Sequence, residues 1–401
     1  MIQFAKRMDY LCASEIREIL KVTEDSAIIS FAGGNPAPEV FPVADMARVA
    51  AAVLAEAGPQ ALQYSTTEGF APLRERIAAR MNRKFQTSFG SQNILITSGS
   101  QQGLDLTGKV FLNEGDVVLC EKPMYLAAIS AFRVFMPRFV EVPTDAEGMI
   151  TSELERLLAT IPNAKLIYVV PDFQNPTGIS WSPERRRDFM AVINRHDIAV
   201  VEDNPYGELR YEGEIQPSLQ ALDRRGQVIC CGTFSKTFCP GLRIGWVAAE
   251  TSILEKYILV KQSADLHSSS LGQREIAKYL ESCDFEANIE KIKTAYRRRR
   301  DAMLRAMAAE FPAAIRYTRP QGGLFIWVEL PPALNARDVL RACLPNQVAF
   351  VPGGAFYPNG GMENTLRLNF SNMPEERIGE GIKRLAKVLR EMLAEPASPI
   401  H

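Results

Sequence analysis

Lys236 is the residue of this chain whose neighbours most clearly indicate chemistry. It follows Ser235, and the turn-forming pair Pro240-Gly241 and then Arg243 come shortly after it. Because Pro-Gly reverses the chain, Arg243 can fold back toward Lys236, so that the two cations and the hydroxyl suit a phosphate. A lysine amine also forms imines with carbonyl compounds, and pyridoxal phosphate contains both an aldehyde and a phosphate. The alternative is a surface lysine in a polar loop.

The histidines restrict which other chemistry is available. The chain contains three, His196, His267 and His401. A Ser-His-Asp hydrolase or a multi-histidine metal centre is therefore hard to build, and no metal site is predicted. If the protein is an enzyme, Lys236 is the candidate that remains for moving protons.

The composition indicates a globular enzyme. Of the 401 residues, 46% are hydrophobic and 23% are charged, which is typical of a soluble protein with a large core. This length predicts two domains, or one large domain with a smaller attachment. The formal net charge of −1 provides no basic field, so neither nucleic acid nor a membrane is predicted as a partner.

Several features of the sequence predict a cytoplasmic location. No apolar run approaches the length of a membrane span, and residues 1–7 lack the hydrophobic core of a signal peptide. The seven cysteines form no CxxC pair and are scattered, apart from the adjacent Cys230 and Cys231. This pattern fits buried thiols in a reducing cytosol better than it fits disulfides or a zinc site.

Short apolar runs predict the sheet that positions Lys236. They occupy residues 94–97, 117–120, 166–170, 198–201 and 228–231. Runs without polar alternation are expected of buried strands in a mainly parallel sheet with helices on both faces. Before them, the patterns predict helices at residues 14–21 and near residues 43–57.

The last part of the chain has a different pattern. Residues 289–309 predict a long helix, whose run Arg297–Arg300 could form a nucleic-acid patch or a solvated helix face. The neutral net charge favours the solvated face. Residues 323–328 and 365–370 alternate apolar and polar side chains, which is typical of strands covered on one side, as in a smaller α+β domain.

Candidate binding residues follow the first predicted strand. In open α/β sheets, ligands bind beyond the carboxyl ends of the strands. Residues 94–97 lead into the small-residue turn Ser98–Gly103, which opens a helix; its free N–H groups and positive dipole end suit a phosphate. Many βα loops have a similar composition. The GxGxxG fingerprint is missing from this turn, so a nicotinamide cofactor is not favoured.

Two further polar residues follow later predicted strands. Asn175 lies in a rigid Asn-Pro-Thr-Gly loop that can project its amide into a site. Asp203 ends a buried strand, where a carboxylate is costly unless a cation partners it. A protonated pyridine nitrogen is such a cation. The alternative for Asp203 is an N-cap or turn carboxylate.

The order of these motifs resembles that of fold-type I pyridoxal-phosphate aminotransferases. The matching segments are Ser98-Gly-Ser-Gln-Gln-Gly103, Asn175-Pro-Thr-Gly178, Asp203-x-x-Tyr206, Ser235-Lys236 with Arg243, and Arg367 within Asn364-Thr-Leu-Arg-Leu-Asn369. Together they span nearly the whole chain. Residues 31–42, 62–69 and 349–354 are similar to the branch that contains 2-aminoadipate and kynurenine aminotransferases.

The resemblance implies an α/β fold with two domains. A large three-layer domain, residues 45–285, would contain a mostly parallel seven-stranded sheet and bind pyridoxal 5'-phosphate. A smaller α+β domain would combine residues 1–44 with residues 286–401.

The resemblance also implies a role for each residue around the cofactor. Lys236 would hold it as an internal imine and, once displaced by substrate, shuttle a proton. Asp203 would keep the ring nitrogen protonated so that the ring can accept electrons. Tyr206 and Asn175 would hydrogen-bond the ring hydroxyl, and Tyr125 would stack on the ring, unless it is an ordinary core tyrosine. The implied phosphate ligands are Ser100, Gln101, Thr233, Ser235 and Arg243.

Substrate binding and assembly follow from the same resemblance. Arg367 would clamp the substrate α-carboxylate through two parallel hydrogen bonds, assisted by Asn175 and the backbone near Gly34. Tyr64 would reach the phosphate of the neighbouring subunit, which implies a homodimer with shared sites. Arg17 matches an N-terminal arginine that meets the distal carboxylate of acidic substrates; its alternative is a solvated surface residue.

The sequence therefore predicts a dimeric aminotransferase that moves an amino group from an L-amino acid to pyridoxal phosphate and then to 2-oxoglutarate. Asn35 and residues 205–207 depart from the aminoadipate pattern, so acidic, aromatic, branched-chain and kynurenine-type substrates all stay open. A lyase, synthase or decarboxylase on the same scaffold is one alternative. The ligand-sensing domain of a regulator is another, although the resemblance starts near Ser14 and leaves no room for a DNA-binding module.

Overall fold

The computed structural model of the protein describes residues 2–11, 19, 25 and 27–394. Its strands are β1 (Ile29–Ser30), β2 (Ile94–Thr97), β3 (Val117–Glu121), β4 (Arg138–Val142), β5 (Thr144–Asp145), β6 (Gly148–Met149), β7 (Ala164–Val169), β8 (Ala199–Asp203), β9 (Val228–Thr233), β10 (Gly245–Ala248), β11 (Arg316–Tyr317), β12 (Phe325–Glu329), β13 (Val348–Ala349), β14 (Val351–Pro352) and β15 (Thr365–Asn369). The α-helices within those residues are Val43–Ala61, Ala71–Phe85, Ser100–Phe111, Leu126–Arg133, Thr151–Thr160, Pro183–Ile193, Thr251–Ala264, Ser270–Ser282, Phe285–Glu310, Ala336–Cys343 and Glu375–Ala394.

A seven-stranded sheet forms the centre of the fold, in the spatial order β2-β10-β9-β8-β7-β3-β4. Strand β10 is antiparallel to both of its neighbours, and the other adjacent pairs are parallel. The predicted α/β fold with a mostly parallel seven-stranded sheet is therefore confirmed. The carboxyl ends of the parallel strands meet at one edge of the sheet, where ligands bind in such folds.

Helices cover both faces of this sheet. Along β7, Ile167 and Val169 face one apolar layer, and Leu166 and Tyr168 face the other. The helices Val43–Ala61, Ala71–Phe85, Thr151–Thr160, Pro183–Ile193 and Ser270–Ser282 contribute to the first layer, and Ser100–Phe111, Leu126–Arg133 and Thr251–Ala264 to the second. Because successive side chains of a strand point to opposite faces, burial on both faces explains the unbroken apolar runs.

A second apolar core surrounds the antiparallel sheet β11-β12-β15-β14. The helices Phe285–Glu310 and Glu375–Ala394 pack on it. Ile29 and Phe31 join the same core, and β1 pairs in parallel with β13. Residues 29–31 therefore pack with the C-terminal part of the described chain, whereas the residue bounds of two domains stay a prediction.

Strands β12 and β15 are buried on both sides, so the prediction of one-sided cover was wrong. In β15, Leu366 and Leu368 face the second core, while the polar side chains between them point the other way. Arg367 is nevertheless only 2% exposed and Asn369 only 1%. The chain around Phe31 covers them, since the backbone N–H of Asn369 donates to its carbonyl. In β15, the alternation of polar and apolar residues therefore indicates a buried polar site and not a solvent-exposed surface.

The run Arg297–Arg300 also differs from the predicted solvated helix face. Its first two residues are exposed, but Arg299 and Arg300 are buried. Arg299 pairs with Glu39, and Arg300 donates to the carbonyl of Pro320 at 2.9 Å. These arginines join the long helix Phe285–Glu310 to neighbouring loops, and a buried cation is tolerated because it has such partners.

Three sequence predictions concern features beyond the two cores. Within the described residues, no helix combines the length and apolar character needed to cross a membrane. The same residues contain no cluster of histidine, cysteine or acidic side chains that could hold a metal ion. The predicted helix at residues 14–21 falls almost entirely outside the described residues.

Candidate active site

A cavity of about 510 Å³ opens at the carboxyl ends of the parallel strands. Its lining residues are Asn35, Pro36, Ser100, Gln101, Tyr125, Val170, Asn175, Asp203, Pro205, Tyr206, Thr233, Ser235, Lys236, Pro240 and Arg243. The structure thus brings together the predicted lysine, the aspartate, the asparagine, both tyrosines and every predicted phosphate ligand of the same chain. Their elements are separate in sequence and converge only through the sheet.

Lys236 lies just after β9 and points its amine at the N-terminal chain. Its Nζ donates to the backbone carbonyl of Gly34 at 2.8 Å. Burial lowers the pKa of Lys236 to about 8, and the positive charges of Arg367 and Arg243 add to that effect. A substantial fraction of the amine is therefore neutral near physiological pH, as a nucleophile or proton acceptor requires.

Asp203 ends β8 with one of its carboxylate oxygens unused. Oδ2 accepts a hydrogen bond of 2.7 Å from the hydroxyl of Tyr168, whereas Oδ1 is buried without a partner. Burial raises the pKa of Asp203 to about 6, and the hydrogen bond from Tyr168 opposes the rise. A buried carboxylate oxygen that lacks a partner and lines a cavity suits a cationic group of a ligand.

The turn at Ser98–Gln101 and the segment after β9 form a cradle for an anion. Ser100 begins the helix Ser100–Phe111, where free N–H groups and the helix dipole favour negative charge. Gly99 has φ +75°, and a Cβ built on it would lie 2.4 Å from a guanidinium nitrogen of Arg243. A glycine is therefore needed for Arg243 to approach this turn.

The hydroxyls of the cradle are already oriented toward each other. Thr233 Oγ1 donates to Ser235 Oγ at 2.9 Å and accepts the backbone N–H of Ser235 at 3.1 Å. Arg243 donates weakly to Ser235 Oγ and to the Ser98 carbonyl, both at 3.4 Å. Among the described residues no carboxylate pairs with Arg243. A guanidinium with such long neutral contacts is suited to a phosphate.

Arg367, on β15, is not among the residues that line the cavity, but it contacts Asn175, which is. Its two terminal nitrogens donate to Asn175 Oδ1 at 2.8 Å and to the Ala32 carbonyl at 2.6 Å, and its Nε is buried without a partner. The guanidinium carbon is 4.2 Å from the ring centre of Phe325 and 5.1 Å from that of Phe356. Burial lowers its pKa to about 10. This buried cation has no carboxylate partner in the described chain and therefore suits an anionic ligand.

The tyrosines of the site are held as neutral phenols. Burial raises the pKa of Tyr125 to about 12, and the negative charge of Asp203 adds to it. Burial also raises the pKa of Tyr206, whose hydroxyl bonds to Asn175. The Tyr206 ring packs edge-on against Phe325 at 5.9 Å. These phenols can donate hydrogen bonds to a ligand over the whole physiological pH range.

Three predicted residues have other positions. Gly34 meets the site through its carbonyl, as described above. Tyr64 is 79% exposed and does not line the cavity of its own chain; its ring lies edge-on to His267 at 5.8 Å. Arg17 lies outside the described residues.

Two residues that position the site were missed in the sequence. Tyr168 supports Asp203 from the neighbouring strand. The signal that the sequence offered for this residue was a tyrosine hydroxyl within an apolar run. Glu121 accepts the backbone N–H of Val170 and the indole N–H of Trp181, both at 2.9 Å, and so fixes both ends of the loop that contains Asn175. Burial raises the pKa of Glu121 to about 7. The signal for Glu121 that the sequence offered was a charged residue directly after the apolar run 117–120.

The geometry matches the functional groups of pyridoxal 5'-phosphate. The unpartnered Asp203 Oδ1 suits a protonated ring nitrogen, the cradle around Arg243 suits a phosphate, and the Lys236 amine suits an aldehyde. The described residues offer donors and acceptors of the correct charge for each group.

Comparison with known proteins gives a consistent result. The family model described as "Aminotransferase class I and II" matches residues 27–385. The chain is 44% identical to aromatic-amino-acid aminotransferase 1 of Thermococcus litoralis over 97% of this chain and 94% of that protein. It is 46% identical to 2-aminoadipate transaminase of Thermus thermophilus over 98% and 97%. The crystal structure of Pyrococcus horikoshii kynurenine aminotransferase with PMP superimposes with a TM-score of 0.94 at 43% identity, covering 98% of both chains.

Proposed function

The chain belongs to the class I and II aminotransferase family, and we propose that it transfers the amino group of acidic and aromatic L-amino acids to 2-oxoglutarate. It is a transaminase with pyridoxal 5'-phosphate as its cofactor. Its relatives are named for aromatic amino acids, 2-aminoadipate and kynurenine, which supports a site of broad side-chain specificity.

The observation on which this proposal depends is the state of Arg367. A guanidinium that is 2% exposed, has an unpartnered Nε and faces no carboxylate of the described chain needs an anion from outside. We assign it to the substrate α-carboxylate, with Asn175 and the backbone near Gly34 as its neighbours. Every amino acid and every 2-oxo acid has this carboxylate, so one clamp serves both partners of the exchange.

We assign the reacting residues from the lining of the cavity. When bound, pyridoxal 5'-phosphate supplies an aldehyde that exchanges with substrate amines and a ring that withdraws the electrons left by the α-proton. Lys236, with its lowered pKa, accepts that proton and returns it. Asp203 keeps the ring nitrogen protonated through Oδ1. Asn175 and Tyr206 bind the ring hydroxyl, and Tyr125 packs against the ring.

The phosphate would be bound by the cradle at the N-terminal end of the helix Ser100–Phe111. Its proposed ligands are Ser100, Gln101, Thr233, Ser235 and Arg243. They combine hydroxyl, amide and guanidinium donors with the positive helix end, which is a strong arrangement for a dianion. Because the site supplies these donors without a carboxylate beside Arg243, phosphate binding meets little local repulsion.

We propose a homodimer in which Tyr64 completes the partner's cradle. The support is that Tyr64 is 79% exposed and lies away from its own cavity, beside Leu62, which is 72% exposed. Sedimentation equilibrium and the pyridoxal-phosphate affinity of Tyr64→Phe test this. A monomer with unchanged affinity in the variant would contradict it.

We propose the domain bounds 45–285 for the large domain, and 1–44 with 286–401 for the small one. The support is that the two apolar layers of the central sheet are separate from the core around the antiparallel sheet. The cytoplasmic location is proposed on free buried thiols such as Cys120, Cys230 and Cys343, which suit a reducing compartment.

Half-reactions of the loaded enzyme test the function. Without any 2-oxo acid acceptor, glutamate, 2-aminoadipate, phenylalanine and leucine are each added, and the cofactor absorbance and the released 2-oxo acid are measured. We expect one equivalent of 2-oxo acid per site and no further turnover until 2-oxoglutarate is supplied. An Arg17→Gln variant should lose 2-aminoadipate turnover and keep phenylalanine turnover if Arg17 binds a distal carboxylate.

The alternatives give different results in the same experiment. A lyase or decarboxylase would turn over repeatedly without an acceptor and release ammonia or carbon dioxide. The aminotransferase names of the relatives at 44% and 46% identity do not favour this outcome, nor a regulator's sensing domain.

A further inference from the structure

A buried ammonium lies behind the phosphate cradle, outside the cavity lining. Lys261, in the helix Thr251–Ala264, is 0% exposed. Its Nζ donates to both carboxylate oxygens of Asp265 at 2.7 and 2.8 Å, to Gln102 Oε1 at 3.0 Å and to Ser268 Oγ at 3.1 Å. Burial lowers the pKa of Lys261, and the ion pair with Asp265 opposes this. An ammonium so deeply buried persists because each of its protons has a partner.

The partners of Lys261 converge on Ser98, the first residue of the cradle turn. Gln102 Oε1 also accepts the backbone N–H of Ser98 at 2.7 Å, and Gln102 Nε2 donates to Asp265 Oδ2 at 2.7 Å. Ser98 Oγ lies 3.4 Å from Asp265 Oδ2 and 3.2 Å from Ser268 Oγ. We call these five residues the Lys261 network: Ser98, Gln102, Lys261, Asp265 and Ser268.

The network fixes the turn from one side while Arg243 meets it from the other. The Ser98 carbonyl accepts from Arg243, and the next residue, Gly99, leaves the space that this guanidinium occupies. The backbone N–H, side chain and carbonyl of Ser98 all have partners, so the turn has little freedom to move. Ser100, which begins the helix, takes its position from this turn.

We infer that Lys261 is a positioning residue for the cofactor phosphate, acting through Gln102 and Ser98 on the turn that presents Ser100 and that Arg243 contacts. This inference depends on the proposed phosphate site. Lys261 itself does not line the cavity and is paired with Asp265, so its effect is one of geometry and not of direct charge on the ligand.

A role in stability alone gives a different expectation. Lys261 and Asp265 are four residues apart at the C-terminal end of a helix, and such an ion pair also contributes to helix stability. If that were its whole role, loss of the ammonium would lower the melting temperature and would weaken all forms of the cofactor equally.

The test compares pyridoxal phosphate with pyridoxal, which lacks the phosphate, on the apoprotein. Dissociation constants are measured by absorbance titration for the wild type, Lys261→Met and Gln102→Leu. The matched control is Lys109→Met on the helix Ser100–Phe111, whose lysine also pairs with an aspartate four residues away, at 2.7 Å, but with 36% of its side chain exposed.

In Lys261→Met we expect roughly tenfold weaker binding of pyridoxal phosphate, as for loss of one charged hydrogen bond, and unchanged binding of pyridoxal. Gln102→Leu should show the same selective loss although the Lys261–Asp265 pair remains, and it decides the question if Lys261→Met does not fold. Lys109→Met should match the wild type. Equal weakening of both ligands, or no change in either, would overturn the inference. A wild type that binds both ligands equally would instead refute the proposed phosphate site.

Discussion

The hydroxyl of Tyr168 donates to Asp203 Oδ2 at 2.7 Å and leaves Oδ1 of the same carboxylate without a partner. The two residues lie on the adjacent parallel strands β7 and β8. Burial raises the pKa of Asp203 to about 6, and this hydrogen bond holds it below the value that burial alone would give. Tyr168 thus favours the ionised carboxylate while one oxygen stays available for a cationic group, which we propose is the ring nitrogen of the cofactor.

The first prediction concerns the pH dependence of cofactor binding. Ionised Asp203 is needed to pair with a protonated ring nitrogen, and its ionised fraction falls as the pH falls through about 6. The affinity for pyridoxal phosphate should therefore decrease on that acid side. In Tyr168→Phe the pKa of Asp203 rises further, so the decrease should begin at a higher pH.

Absorbance titrations of the apoprotein over a pH series measure this shift. The matched control is Tyr257→Phe, which removes another buried hydroxyl of the second apolar layer, hydrogen-bonded to Thr107 at 2.8 Å. A pH dependence that is the same in wild type and Tyr168→Phe would show that Tyr168 does not tune Asp203.

The second prediction concerns Lys236. Because its pKa is lowered to about 8, half of the amine is neutral at that pH, and the neutral fraction is nearly complete about one pH unit higher. The rate of covalent incorporation of pyridoxal phosphate into the apoprotein should rise with pH through about 8 and level off about one pH unit above that value. Stopped-flow absorbance measures that rate.

Substitution of the same lysine gives a direct control. Lys236→Ala should form no covalent adduct and lose about 10²–10⁴-fold in turnover, the usual contribution of a positioned acid–base group. Borohydride trapping and peptide mass spectrometry identify the labelled lysine in the wild type. Labelling at another lysine would refute the assignment.

The sequence was sufficient for the elements whose signals are local. The five apolar runs predicted strands of the central sheet, and the motifs around Lys236, Asp203 and Asn175 indicated residues that the structure brings into one cavity. These signals are readable because a buried parallel strand is apolar at every position and ligands collect at its carboxyl end.

The features that were missed depend on contacts distant in sequence. Arg367 is buried because the chain at Ala32, 335 positions earlier, covers it. The sequence around Arg367 does not contain this contact and therefore predicts a strand that is exposed on one side. Tyr168 supports Asp203 only because β7 and β8 are neighbours in the sheet order. Arg299 is buried by its pairing with Glu39, 260 positions away. No local pattern contains this information.

The third prediction tests the carboxylate clamp. Arg367→Lys keeps the positive charge but cannot reproduce the planar fork that reaches Asn175, Ala32 and a carboxylate at once. We expect kcat/KM for every amino acid to fall by roughly 10–100-fold, the range for loss of a hydrogen bond to a charged group. Arg298→Lys, at a surface arginine that is 70% exposed, should have no effect. A loss confined to acidic substrates would contradict the assignment to the α-carboxylate.

The fourth prediction separates the shape of the phosphate cradle from general backbone strain. Gly99 has φ +75° and ψ 167°, and Gly115 has φ +84°, so Gly→Ala at either position places a side chain in an unfavourable backbone region and costs about 1–3 kcal/mol of stability. The surroundings differ: a Cβ at Gly99 would lie 2.4 Å from Arg243, whereas a Cβ at Gly115 would meet nothing within 4 Å. Only Gly99→Ala therefore displaces the guanidinium from the cradle.

Both variants should lower the melting temperature, but only Gly99→Ala should bind pyridoxal phosphate more weakly, by roughly tenfold or more if Arg243 loses its contact with the phosphate. Differential scanning fluorimetry and absorbance titration measure the two quantities on the same samples. Because Gly115→Ala also places a side chain on a backbone with positive φ, an equal fall in affinity in both variants would mean that strain, and not the displaced guanidinium, weakens binding. In that case Arg243 would have no special role in holding the phosphate.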